Sequence, residues 1–409
     1  MYPLLAGLRI FEAASFVAGP FATLQLAQLG AEVIRIDPIG GGPDYRRWPL
    51  APSGDSYFWE GLNKGKKSVA INLSAPEGRA LAQALIAAPD RDGYEAGCLV
   101  TNFPEKGFLA HEALARGRGD LITLRVTGWP DGGQAVDYTI NPAVGLPMMT
   151  GPADRADEPV NHVLPAWDLL TGAAVSVALM AARERRRLTG QGGEIRMPLS
   201  DVAATTLANL GMLAEVLGSG RDREAVGNTL FGSFGRDFVT RDGVRVMLVG
   251  LTTKQWRAIL AALGLRQAVA AAEAERGLSF DPDAGTRYLH RDLLEPMVAR
   301  AVAARDWAAL EPELVAQGVC FGRYRTLLEA SGDPVFRASP AFAAITQPSG
   351  ETYPAPGFAG SHADLPRQPP RPAPHLGADT GAVLHDCLGL PEREIAALAA
   401  RGVVAATLP

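Results

Sequence analysis

Cysteine is scarce: Cys98, Cys320 and Cys387 are the only three in 409 residues. None of them stands in a CxxC spacing, which removes the zinc-knuckle and dithiol redox readings. An odd count excludes a fully paired disulfide framework, so a reducing cytoplasm and buried, inert thiols are expected. Surplus positive charge is missing as well. With 39 basic and 44 acidic residues the net charge is −5, so no basic field points to nucleic acid or an anionic membrane. The opening MYPLLAGLRIFEA lacks the basic cluster, long apolar run and cleavage site of a secretory signal. The best apolar stretch, 172–182, falls well short of the roughly 18–20 residues needed to span a bilayer. Also absent are a Walker phosphate loop, a GxGxxG fingerprint, a Gly-x-Ser-x-Gly elbow and an HExxH pair. Nicotinamide, serine-hydrolase and zinc-protease chemistry lose their support with them, and no metal site is expected.

What is present is ordinary globular composition, 47% hydrophobic and 20% charged, in a chain long enough for two domains. The 45 glycines and 31 prolines are spread without a repeat. Leu8–Phe11 reads as a strand, Phe21–Leu29 as a helix closed by Gly30, and Val33–Ile36 as a second strand. That βαβ unit implies a parallel sheet. Lys67–Leu73, Cys98–Thr101 and Leu121–Val126 read as further strands, with a helix over Pro76–Ala88. The fold class is α/β: a doubly wound, Rossmann-like large domain plus a smaller α+β domain.

Ala166–Arg187 and Leu199–Val216 read as two apolar helices, and Arg236–Gly250 as a hairpin about Asp242-Gly243. Helices follow over Lys254–Leu265 and Arg300–Gln317. The expected division is 1–200 for the first part of the large domain, 201–225 for a helical linker and 226–325 for the small domain. Residues 326–409 form a return, with a proline-rich strap at 365–374 and helices over Thr380–Leu388 and Pro391–Ala400.

Several residues carry possible chemistry. Asp37-Pro38-Ile39-Gly40-Gly41-Gly42 follows a strand directly and is either an anion-approaching turn or a plain loop. Asn63-Lys64-Gly65-Lys66-Lys67-Ser68 is either a solvated turn or a phosphate clamp, to which Arg35, Arg46 and Arg47 could add charge. Asp168 opens an apolar helix, so it is an N-cap or a carboxylate kept ionised by the helix end and therefore nucleophilic. Asp137 is an Asx-turn residue or a functional carboxylate, and His162 a loop histidine or a proton carrier.

These signals fall in the order of a known family. The runs Leu5–Arg9, Val17-Ala18-Gly19-Pro20-Phe21-Ala22-Thr23 and Leu29–Ile36 resemble the opening of class III CoA-transferases. Leu62–Ser68 is similar to that family's Asn/Lys turn, Thr101-Asn102-Phe103 to its Glu-Asn-Phe element, and Thr189–Gly193 to its Thr-Gly-x-Gly turn. Gly227-Asn228 and Asp242-Gly243 match the start of its smaller domain. The resemblance covers essentially the whole chain. It implies an enzyme whose nucleophile is Asp168; beside that, Asp137 and His162 are candidates for positioning or protonating a dicarboxylate substrate. It implies CoA binding by Val17, Ala18, Arg35, Lys64, Lys66, Lys67, Asn102 and Phe103, and a mobile glycine loop at Gly232-Ser233-Phe234-Gly235. CoA arrives as part of the substrate, with no resident cofactor. Two ring-like chains interlocked into a homodimer are implied too, with the C-terminal segment returning to the first domain.

Departures refine this expectation. Racemising relatives place a histidine immediately before the aspartate matching Asp137, where this chain has Val136, and α-proton exchange wants two proton carriers. Formyl-transferring relatives have a glutamine where this chain has Val17, so a different acyl pocket is implied. The strings DPIGGGPDYRRWP, VDYTINP, GLPMMTGP, NHVLPAWD and FGSFGRDF resemble a branch that moves CoA between the two carboxyls of one C5 dicarboxylate. An intramolecular CoA transfer on a CoA thioester of such an acid is therefore expected. Tyr138 and the Arg46-Arg47 pair are candidates for carboxylate recognition. Intermolecular CoA transfer, racemisation and non-catalytic binding of a CoA ester are the alternatives.

Overall fold

Near-continuous runs of β-branched and aliphatic residues, such as Val69-Ala70-Ile71 and Cys98-Leu99-Val100, leave no polar face for water, and they form strands buried on both sides. The computed structural model describes residues 1–91, 93–155 and 157–405. Six strands run parallel: β1 (Arg9–Ala13), β2 (Glu32–Pro38), β3 (Lys67–Ile71), β4 (Cys98–Thr101), β5 (Ile122–Thr127) and β6 (Gly193–Pro198). Their order is β3-β2-β1-β4-β5-β6, so the winding reverses between β1 and β4. In such sheets the crevice outside the carboxyl ends at that reversal is where ligands bind. The short strand Val404–Ala405 adds antiparallel to the β3 edge.

The chain divides into two units. The larger comprises 1–144, 162–219 and 337 onward; the smaller comprises 145–161 and 220–336. The segment 201–225, expected as a helical linker, is helical, with Leu199–Asn209 and Met212–Ser219, but these helices belong to the larger unit, which runs up to Ser219. The sequence reading had one helix there. Gly211 takes a φ of +79° at the break, a conformation that a β-carbon disfavours, and the axis bends by 69°.

The helix Ala18–Gln28, which connects β1 to β2, packs along the 24-residue helix Ala166–Thr189. By length and composition alone the longer helix is apolar enough to cross a membrane. It buries Trp167, Thr171, Gly172, Val175, Ser176 and Leu179, and Ser176 Oγ donates to Ala22 O at 3.0 Å. The approach is close at Gly172, where a β-carbon would stand 2.7 Å from Ala18 O.

The smaller unit holds the antiparallel strands β7 (Phe234–Val239), β8 (Arg245–Gly250) and β9 (Cys320–Arg323). Phe234, Trp256, Ile259, Val298 and Leu310 form its core. In the return, Gly65 N donates to Pro372 O at 3.0 Å and Ser68 N to Asp379 Oδ2 at 2.8 Å, fastening the proline strap beside β3. A hairpin of β10 (Phe342–Thr346) and β11 (Thr352–Pro356) precedes it. It is anchored by Glu60, which accepts from Ser349 N at 2.8 Å and Tyr353 OH at 2.7 Å.

Candidate active site

The helix Asp137–Ala143 places Asp137 and Asn141 one turn apart, on the side facing Trp167. Asn141 Oδ1 accepts the Trp167 indole N–H at 3.0 Å, while Asp137 Oδ2 accepts the Trp167 backbone N–H at 2.6 Å and that of Asp168 at 3.2 Å. Those are orphan donors at the start of the helix Ala166–Thr189. Asp168 therefore does not cap its own helix. The cap comes from a buried carboxylate 31 residues earlier, and the Asp168 side chain is left for other work.

The other Asp137 oxygen meets His162 Nε2 at 2.8 Å. His162 also lies against Tyr138 and Trp167, with ring centroids 6.1 and 6.3 Å away. Tyr138 OH donates to Val163 O at 3.0 Å, which fixes the approach to the helix. Both Asp137 oxygens are thus engaged by protein groups, which makes Asp137 a positioning carboxylate.

Its charge acts on Asp168 as well. Burial, and then the nearby Asp137 carboxylate, push the Asp168 pKa from 3.8 up to about 7, with Arg47 pulling it down. The helix end was expected to hold Asp168 fully ionised. It does not, first because the carboxyl is largely buried, and then because Asp137 brings a like charge and takes the N–H groups of the helix end.

An apolar groove of about 1010 Å³ runs beside this point within the larger unit. Leu164, Pro165 and Leu169 line one wall, Val17 and Phe21 another, and Tyr57, Phe58 and Lys64 a third. Asp168 is not itself in the lining; it falls between Pro165 and Leu169 on the same helical turn. Lys64 is buried, donates to Gly61 O, and has its pKa lowered to about 8 by burial and then by Lys66.

The carboxyl ends of β1 and β4 meet at the winding reversal. Asn102 grips Ser15 through both backbone atoms, accepting from its N–H and donating to its C=O, each at 3.2 Å. Phe103 packs edge-on against Phe108. The loop carrying both is pinned by buried Arg125, which donates to Phe103 O at 2.7 Å and Leu109 O at 2.8 Å and pairs with Glu194. The sequence reading passed over Arg125, since nothing marks a mid-strand arginine as a loop clamp.

Phe16 was missed too. Its φ is +69°, the only positive value outside glycine among the described residues, and its N–H donates to Asp44 Oδ2 at 3.2 Å. A bulky residue in that region costs on the order of 1–3 kcal/mol and marks a spot that its surroundings hold in place.

Several expected CoA contacts sit elsewhere. Arg35 is fully buried; its guanidinium bonds Glu12, Asp37, Asp44 and Asn63 and lies 4.6 Å from the Trp59 ring centroid. It has no donor left for a ligand and holds the Asp37–Gly42 turn together instead. Asp37 at its start and Asp44 just beyond it put two carboxylates beside the turn, which speaks against the anion-cradle reading. Lys66 is buried on Glu12 Oε2 at 2.8 Å and Pro20 O at 2.9 Å. Burial alone would push Glu12 up, but Lys66 and Arg35 together hold its pKa below the ordinary value. Lys67 pairs with Glu32, which also pairs with Arg9, at the amino ends of β1 and β2 and away from the crevice. A lysine-rich string does not reveal which ammonium groups find internal partners.

The glycine loop also differs from expectation. Phe234 and Gly235 open β7, Phe234 is a core side chain, and buried Ser233 donates to Gly250 O at 3.2 Å. Of that quartet, Gly232 alone stands in a turn, with a φ of +74°.

Comparison with known proteins agrees with this architecture. The sequence model described as CoA-transferase family III matches residues 5–380. The chain belongs to that family. Among its members, the 2-methylfumaryl-CoA isomerase of Chloroflexus aurantiacus is 46% identical over 408 residues, covering 99% of this chain and 98% of the other. The succinyl-CoA–D-citramalate CoA-transferase of the same organism is 27% identical, covering 98% of each chain. A CAIB/BAIF family protein from Brucella suis shares the fold, with a TM-score of 0.76 at 24% identity over 95% of this chain and 100% of the other. The doubly wound sheet and its crevice are thus the CoA-transferase family III scaffold.

Proposed function

We propose that this family III enzyme interconverts 2-methylfumaryl-CoA and 3-methylfumaryl-CoA by moving CoA between the two carboxyls of one mesaconate. The observation that carries the reading is the 46% identity to 2-methylfumaryl-CoA isomerase over 99% of this chain.

Asp168 serves as nucleophile in this proposal. Its ionised carboxylate attacks the C1 thioester carbonyl, forming a mixed anhydride and expelling CoA thiolate. The thiolate attacks the aspartyl carbonyl of that anhydride, giving an aspartyl-CoA thioester and mesaconate. Mesaconate turns, and its C4 carboxylate attacks the aspartyl thioester to regenerate an anhydride and thiolate. Thiolate then attacks the C4 acyl carbonyl and releases Asp168 as carboxylate. No net proton or electron is consumed. Retaining mesaconate makes the second half effectively unimolecular, an advantage of up to roughly 7–11 kcal/mol over recapture from solution.

Asp137 and His162 position the nucleophile in this scheme, and Val17, Lys64, Asn102 and Phe103 are the proposed CoA contacts. An interlocked homodimer and a reducing cytoplasm, which suits three unbridged thiols, belong to the same proposal.

Relatives named for transfer between two acids favour a second reading, intermolecular CoA transfer. Incubating the protein with mesaconyl-C1-CoA, first alone and then with labelled free mesaconate, separates the two. C4 ester that forms in the first tube and stays unlabelled in the second supports the isomerase; conversion only on addition of a second acid overturns it.

A further inference from the structure

A dicarboxylate that carries CoA on one end always leaves a free carboxylate on the other, whichever isomer is bound. Burying that charge beside an apolar groove requires a cation within reach of Asp168. Most cations near the site are already spent. Arg35 is enclosed by carboxylates, Lys66 sits on Glu12, and Arg125 holds backbone carbonyls and Glu194.

Arg47 is different. No carboxylate among the described residues lies within ion-pair distance of it. Its guanidinium lies 5.6 Å from the Phe16 ring centroid and 5.2 Å from that of Phe58. Phe58 lines the groove together with Pro165 and Leu169, the residues on either side of Asp168. The backbone beneath Arg47 is fixed on both sides, because its N–H donates to Asp44 O and its C=O accepts from Ser56 Oγ. Asp44 is in turn locked by Arg35 and by the N–H of the strained Phe16. A planar guanidinium standing against aromatic faces keeps its edge donors available for a carboxylate fork.

We infer that Arg47, standing against Phe16 and Phe58, grips the CoA-free carboxylate of the substrate and so selects dicarboxylic thioesters. This rests on the dicarboxylate reading above. One grip serves both halves of the reaction, since after mesaconate turns, the carboxyl that was attacked becomes the one that is held. Arg47 is also the cation that acts on Asp168, drawing its pKa downward. The two carboxylates thus lie within the field of one guanidinium, with the protein's own left unpaired by it.

The test compares two thioesters in the first half-reaction, read as the protein-bound aspartyl-CoA adduct by intact-protein mass spectrometry. Mesaconyl-C1-CoA carries the distal carboxylate, whereas tiglyl-CoA has a methyl group in its place. In Arg47→Gln the preference for mesaconyl-C1-CoA should fall roughly 10-fold, since Arg47 is exposed in the free protein and its pair with the substrate carboxylate is only partly desolvated. At pH 9, where Asp168 is ionised with or without Arg47, the rate with tiglyl-CoA should stay within about 3-fold, and Arg47→Lys should restore part of the preference. Equal loss with both thioesters, or an unchanged preference, overturns the assignment. If the native protein forms the adduct but never yields the C4 ester, the isomerase reading fails while this ratio still judges Arg47.

Discussion

Asp137 accepts the backbone N–H of Asp168 at 3.2 Å, so one carboxylate caps the helix that presents the other. The arrangement fixes where Asp168 stands without engaging its side chain. It also places a like charge close by, which contributes to the raised pKa of about 7. Positioning and activation are thereby joined in a single contact. The carboxylate that aligns the nucleophile also raises its basicity, and a more basic carboxylate is the better nucleophile once ionised.

Removing the nucleophile tests the core of the scheme. Asp168→Ala should lower turnover by roughly 10⁴-fold or more, as expected when a covalent intermediate can no longer form. Calorimetry should still show binding of the CoA ester, because the groove is lined by other residues. Near-normal turnover would remove Asp168 from the mechanism.

The pH profile carries a sign. Asp168 must be ionised to attack, so kcat/KM should fall below about pH 7, the value to which burial and Asp137 raise it. Asp137→Asn keeps an oxygen for the two N–H donors but removes the charge. Its acid limb should therefore move to lower pH. A limb that stays put would assign the titration to another group.

Stability should run against activity at the same residue. The folded chain holds the Asp168 proton up to about pH 7, whereas the unfolded chain holds it only to about 3.8. This carboxyl's contribution therefore declines as pH rises between those values, and above them the folded state bears the cost of a half-buried charge. Asp168→Asn should raise the melting temperature at pH 8 and change it less at pH 5. An unchanged difference across that range would refute the linkage.

The ion cluster under β1 and β2 should be costly to break. Arg35→Met leaves Glu12, Asp37 and Asp44 without their shared counter-charge. A loss of about 3–5 kcal/mol is expected in urea unfolding, as for other buried pairs stripped of one partner. A loss under ~1 kcal/mol would mean that water reaches the cluster.

Gly172→Ala tests the helix contact behind the site. The new methyl would meet Ala18 O at 2.7 Å and the Phe21 ring at 3.0 Å, forcing apart the two helices that carry Val17 and Asp168. About 1–3 kcal/mol of stability should be lost, with activity falling further than stability alone explains.

The sequence made the backbone legible where hydrophobic pattern and punctuation agree. The βαβ opening, the Asp242-Gly243 hairpin and the helix from Ala166 all stand where periodicity, Gly30 and Gly190 place them. It failed where a side chain's partner lies far along the chain. Asp168 resembles a cap because nothing local reveals that Asp137 has taken that role. Arg35, Lys66 and Lys67 resemble ligands because their carboxylate partners Glu12, Asp44 and Glu32 are distant in sequence or carry no motif. Phe16 shows nothing unusual as a letter; its left-handed backbone exists because Asp44 waits to accept its N–H. The hairpin of β10 and β11 was likewise hidden, since Pro354 and Pro356 weaken any strand signal.

The pairing of Val404–Ala405 with β3 has a temporal side. During synthesis β3 emerges early, and it then waits through more than three hundred residues for the segment that covers its outer edge. Throughout that interval its edge donors and acceptors are open to any extended chain nearby. The smaller unit, whose residues end at 336, is translated in full before that edge is sealed. On the ribosome, the inserted unit can therefore mature while its host sheet is still unfinished.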